Sequence, residues 1–218
     1  MTPMGSQKLI PALLAKDEAD FRDKISNKSV RAYAPLWQID ILDGSIFDST
    51  CWADLSVIET LNDLPDIELH LMVENPLPII QAWSVKIPSL KRAIVHAEIE
   101  RPLTPVLDQI HHLNIEAGIA FNPETDLVDY KHELQESDTI LIMGVHPGAS
   151  GQAFLGDPVL RSITEAKERF PKKFIAVDGG VTTGNISSIY QAGADAVCAA
   201  SLIWKSDDID VLFARGRN

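Results

Sequence analysis

Phe174-Ile175-Ala176-Val177-Asp178-Gly179-Gly180 is an apolar run that ends in a carboxylate and then in two glycines. The run 173–177 has the length and β-branched content of a strand buried on both faces. A polar group at the end of such a strand is costly unless it is used. Seven further runs share this character: residues 8–14, 36–42, 67–73, 92–97, 115–121, 139–145 and 194–199. Between most of them the spacing turns helical. In 102–113, Leu103, Val106, Leu107 and Ile110 recur at i, i+3, i+4 and i+7, and 158–170 opens on Pro158 and carries Val159, Leu160 and Ile163. Residues 53–64 read as the helix that closes the second unit. Strand–helix alternation implies a parallel sheet with right-handed crossovers. A doubly wound open sheet would also use such runs, but eight units in 218 residues predict a (β/α)8 TIM barrel, an α/β fold. With no linker, low-complexity segment or shift in composition, residues 1–218 are expected to form a single domain.

Hydrophobic content of 45% and charged content of 23% are ordinary for a globular protein. A net charge of −12 argues against a general nucleic-acid or anionic-membrane surface, so an anionic substrate needs a local pocket of backbone donors. Cys51 and Cys198 make no disulfide framework, which fits a reducing compartment. Residues 1–7 lack the basic-then-apolar order of a signal peptide, and no apolar run approaches 18 residues. A cytoplasmic enzyme is expected.

Three strand ends carry groups capable of acid–base or metal chemistry: Asp40, His70 and Asp178. Alternation puts Gln38, Asp40 and Leu42 on one face, pointing into the barrel, while Asp43-Gly44 suits a turn. An inward mid-strand aspartate needs a partner. A lone histidine in an apolar strand is more often a hydrogen-bonded core residue than a ligand, but beside two carboxylates His70 suits Zn²⁺, Fe²⁺, Mn²⁺ or Co²⁺. Glu68 shares its alternation and fits either a supporting role or the barrel floor. After the sixth strand, Val145-His146-Pro147-Gly148-Ala149-Ser150-Gly151-Gln152 is rich in glycine, and such backbones bind phosphate without lysine. Gly179-Gly180 and Ala200-Ser201 follow the seventh and eighth strands, where phosphate sites of this barrel recur.

From about Leu9 to Ile203 the chain resembles the ribulose-phosphate 3-epimerase family. The likeness rests on Leu69-His70-Leu71-Met72-Val73, His96-Ala97-Glu98, Gly118-Ile119-Ala120-Phe121-Asn122-Pro123, the run Val145–Phe154 and Val177-Asp178-Gly179-Gly180-Val181, in family order and spacing. The resemblance implies a ribulose-phosphate-binding barrel and an isomerase of the pentose phosphate pathway. Its reaction would interconvert D-ribulose 5-phosphate and D-xylulose 5-phosphate by two-base proton transfer at carbon 3. Asp40 and Asp178 match the acid–base pair. The family's His, Asp, His, Asp ligand set maps onto Gln38, Asp40, His70 and Asp178 and implies a divalent ion (Zn, Fe, Mn or Co). Substrate and phosphate contacts would come from His70, Met72, Gly148, Ala149, Ser150, Gly151, Gly179, Gly180, Ala200 and Ser201. The partner implied is a small phosphorylated ketose, with no nucleic acid or membrane, and the enzyme is expected to be a homo-oligomer.

The chain departs from the family at four places. Gln38 replaces a ligand histidine, so the ion is expected to be held weakly or dispensed with. Ala12 replaces a serine, Ala200 replaces the glycine of a Gly-Ser turn, and 45–52 differs from the usual loop. These changes leave open an epimerase on another ketose phosphate such as allulose 6-phosphate, or a non-catalytic sugar-phosphate-binding paralogue. A hexulose-phosphate synthase is disfavoured, because Asp40-Ile41-Leu42-Asp43 lacks the lysine of Asp-x-Lys-x-x-Asp.

Overall fold

The computed structural model describes residues 8–148 and 151–215. Eight parallel strands close into a barrel in chain order. They are β1 (Lys8–Leu13), β2 (Leu36–Leu42), β3 (Asp66–Met72), β4 (Leu90–His96), β5 (Glu116–Phe121), β6 (Thr139–Met143), β7 (Phe174–Asp178) and β8 (Ala196–Ala199). The last pairs with β1 from Lys8↔Ala196 to Pro11↔Ala199, which completes the ring. All eight predicted strands are present, with ends displaced by up to two residues. Thus β7 extends to Asp178, and β6 stops at Met143 because Gly144 turns to donate its N–H to the Asp178 carbonyl.

The crossovers carry α1 (Glu18–Ile25), α2 (Lys28–Tyr33), α3 (Leu55–Ile58), α4 (Pro76–Lys86), α5 (Leu103–His112), α6 (Lys131–Glu136), α7 (Asp157–Arg169) and α8 (Ile186–Gln191), and α9 (Ser201–Trp204) and α10 (Ile209–Arg215) follow the last strand. A 3₁₀ turn, Leu127–Tyr130, precedes α6. On α5 the predicted stripe Leu103, Val106, Leu107 and Ile110 is buried. The helix expected over 53–64 shrinks to α3. Its end tightens as Thr60 and Leu61 donate to the carbonyls of Val57 and Ile58, Asp63 takes φ of 61°, and Pro65 disfavours helical backbone just before it. None of the described helices is long and apolar enough to cross a membrane.

Two apolar regions follow from strand alternation. One lies between sheet and helices and holds the large side chains, Trp37, Trp83 and Phe21 among them. The other fills the lumen with smaller groups: Ala12, Ala120, Ala176, Ala196 and Cys198 beside Ile10, Ile94, Leu141 and Met143. Below them, Arg92 donates to the wholly buried Glu68 at 2.8 Å and to Glu116 at 2.6 Å. Glu68 therefore lies on the barrel floor. Burial pushes its carboxyl up, against the opposing charge and hydrogen bond of Arg92. Removing one partner leaves a buried charge uncompensated, so Arg92→Ala is expected to lower unfolding free energy by about 3–5 kcal/mol. Urea denaturation checks this, and an unchanged midpoint would refute it.

Candidate active site

The register of β2 on β3 sets Gln38 beside Glu68, Asp40 beside His70 and Leu42 beside Met72. On the far side of the lumen Asp178 sits between Met143 and Cys198. The inward face predicted for Gln38, Asp40 and Leu42 is the one observed. Asp43 stays in its turn, accepting from Ser45.

The polar groups meet at one point. Gln38 Nε2 donates to Asp40 Oδ1 and to Asp178 Oδ2, each at 2.8 Å. His70 Nδ1 faces the same two oxygens, at 3.1 and 3.3 Å. Gln38 and His70 are wholly buried, and the aspartates nearly so. Burial raises the Asp40 carboxyl above its ordinary range, helped by the charge of Asp178 and opposed by His70 and Gln38. Burial by itself would lower His70, but hydrogen bonds and charge from Asp178 and Asp40 outweigh it and raise the imidazole to about 9. Two carboxylates are thus held close by donors that offset their repulsion.

Ligand atoms of Asp40, His70 and Asp178 lie within 4.8 Å of one another. Gln38 Oε1 is buried without a hydrogen-bond partner. Turning the amide over about its last torsion exchanges this orphaned oxygen with Nε2. A cation between the carboxylates would satisfy it there. Three oxygens and one imidazole nitrogen form a donor set that fits a divalent ion.

Above these groups opens a cavity. Leu14, Leu42, Met72, Met143 and Val145 form an apolar wall, and Gly148, Gly151, Gly179, Gly180, Ala200 and Ser201 line the same space. Gly179 and Gly180 have φ of 96° and 68°, and a Cβ would lie 2.4 Å from Val145 and 2.6 Å from the Phe154 backbone respectively. Only glycine lets these loops approach so closely. Ala200 adopts φ −94° and ψ −74°, so the alanine imposes no strain there. Ala12 is buried in the lumen in register with Gln38. Ala149 and Ser150 lie outside the described residues.

Sequence reasoning places His96 and Glu98 in a motif but assigns them no role. His96 is wholly buried, with Nε2 at 2.9 Å from His70 Nε2 and Nδ1 at 2.9 Å from Glu98 Oε2. Burial and the nearby charge of His70 lower the His96 imidazole to about 4, against the pull of Glu98. Phe47, from the loop after β2, sets its ring edge against His96 with centroids 5.1 Å apart. The available signal was the inward alternation of Arg92, Ile94 and His96 along β4.

A family model described as the ribulose-phosphate 3 epimerase family matches residues 8–204. This chain belongs to that family. Two of its epimerase relatives illustrate the distance. The ribulose-phosphate 3-epimerase of Chlamydia muridarum is 32% identical over 210 residues, spanning 93% of this chain and 90% of the relative. That of Helicobacter pylori is 33% identical over 207 residues, spanning 92% of each. Among solved structures, a mutant tryptophan synthase α-subunit from Pyrococcus furiosus superposes with a TM-score of 0.71 at 14% identity, covering 98% of this chain and 97% of that one. That likeness concerns the barrel alone. Membership in the epimerase family rests on the sequence matches.

Proposed function

We propose that this member of the epimerase family interconverts D-ribulose 5-phosphate and D-xylulose 5-phosphate by two-base proton transfer at carbon 3. The observation that supports this best is the pair of buried carboxylates, Asp40 and Asp178, brought together across the lumen at the cavity floor. One aspartate removes the proton beside the ketone and the other delivers a proton to the opposite face. His70 and Gln38 hold both carboxylates in place. The apolar wall excludes water from the carbanionic intermediate, and the glycine-bearing loops with Ser201 receive the phosphate. A cytoplasmic homo-oligomer acting on a small phosphorylated ketose accords with the resemblance and with the acidic composition. Conversion of ribulose 5-phosphate, followed by xylulose 5-phosphate formation, tests the assignment. Its absence, or a much higher kcat/KM on allulose 6-phosphate, would overturn it.

Asp40, His70, Asp178 and the turned-over Gln38 would hold a divalent ion (Zn, Fe, Mn or Co). When bound, such an ion polarises the ketone and stabilises negative charge on the enediolate oxygens. An amide oxygen is a weaker ligand for Zn²⁺ than imidazole, so the wild type should lose its ion on dialysis. Gln38→His should raise Zn²⁺ affinity roughly 100-fold, because a four-ligand zinc site worth about 10–16 kcal/mol assigns each ligand a few. Calorimetric titration of both proteins, with assays before and after chelation, measures this. A wild type purified with one tightly held ion per chain and no gain from Gln38→His would refute the weak-site proposal.

A further inference from the structure

The two imidazoles behind the carboxylates are joined Nε2 to Nε2 at 2.9 Å. A hydrogen bond between ring nitrogens requires one to carry the proton and the other to offer a lone pair. The far end of the chain decides which. Glu98 Oε1 accepts from the backbone N–H of Asn122 at 2.9 Å and from the hydroxyl of Thr125. Its other oxygen, Oε2, faces His96 Nδ1. A carboxylate held by two donors opposes a third group only comfortably if that group also donates. His96 therefore bears its proton on Nδ1 and offers Nε2 as a lone pair. His70 must then donate from Nε2, which leaves Nδ1 as the nitrogen that serves Asp40 and Asp178. Both rings are wholly buried, so water offers no remedy for reversed polarity.

We propose that Glu98 and His96 are positioning residues, a relay of fixed polarity that locks the His70 ring with Nδ1 presented to the two catalytic carboxylates and to the ion between them. The proposal rests on the ion site described under the proposed function, but its first readout does not need the ion. Outer partners of this kind orient a ligating imidazole and raise its basicity. The relay also ties the loop after β5, through Asn122 and Thr125, to a side chain on β3.

Glu98→Gln tests it, because Asn122 and Thr125 will hold the amide oxygen at the Oε1 position and turn the NH₂ toward His96. The polarity of the whole chain then inverts without a change of shape. In ¹⁵N-labelled protein free of metal, ring-nitrogen shifts should place the His96 proton on Nδ1 in the wild type and on Nε2 in Glu98→Gln. Zn²⁺ affinity, measured by chelator competition, should fall about 10- to 100-fold in the variant. Its kcat should fall while KM for the phosphorylated ketose stays within about threefold, since the phosphate loops are untouched. A wild-type His96 protonated on Nε2 overturns the proposal, as does a Zn²⁺ affinity that Glu98→Gln leaves unchanged. A variant that fails to fold leaves the wild-type ring-nitrogen measurement decisive. A wild type that takes up no Zn²⁺ would instead count against the ion site, and the His96 shifts would still judge the relay.

Discussion

Asp178→Asn and Asp40→Asn are each expected to lower kcat for epimerisation by about 10³-fold or more, because an amide cannot accept the proton that a two-base mechanism must move. The variants are close in shape to the native residues, and Gln38 Nε2 can still donate to an amide oxygen at either position. Their melting temperatures should therefore remain near that of the wild type. The two roles separate in deuterated solvent. A variant that keeps the base facing one epimer should exchange the carbon 3 hydrogen of that epimer without converting it, and the other variant should show the reverse preference. Wild-type turnover in both would eliminate Asp40 and Asp178 as the acid–base pair.

Removing the substrate's phosphate should have a comparable effect. The cavity has an apolar wall on one side and glycine loops with Ser201 on the other, within a protein of net charge −12. An acidic chain does not attract an anion by its overall field, so binding must come from local donors. Three hydrogen bonds to a charged group, at about 1.5–3 kcal/mol each, amount to roughly 10³-fold or more in kcat/KM for ribulose 5-phosphate over free ribulose. Part of this loss should appear in kcat, since a remote group that anchors the substrate also aligns carbon 3 between the carboxylates. Steady-state kinetics with the two sugars measure it. Equal efficiencies would remove the phosphate site from these loops.

Most of the barrel was legible because each strand is short, apolar and bounded, and because helices such as α5 and α7 repeat at a helical period. The segment 53–64 was not, since its apolar spacing is compatible with a helix, whereas the tightened turn at Thr60 and Leu61, the left-handed backbone at Asp63 and Pro65 keep it short. Asp40, His70 and Asp178 stood out as costly groups in apolar strands, and they converge. What linear spacing could not convey was the bridge. Gln38 reads as a lost histidine, whereas in three dimensions its amide spans both carboxylates. His96 and Glu98 escaped for a related reason. Their partners lie on β3 and in the loop after β5, and no local pattern announces a contact made across strands.

The bond from Gln38 to Asp178 joins residues 140 positions apart. It spans the seam of the ring, because the shorter way round from β7 to β2 runs through β8 and β1. Contacts of such long sequence separation form late, after the loop entropy of closure has been overcome. A chain emerging from the ribosome can thus assemble β1 to β6, with His70 already beside Asp40, and still lack Asp178. The site is completed with the final strands, all at once, and the repulsion between Asp40 and Asp178 is deferred until a finished sheet is there to contain it.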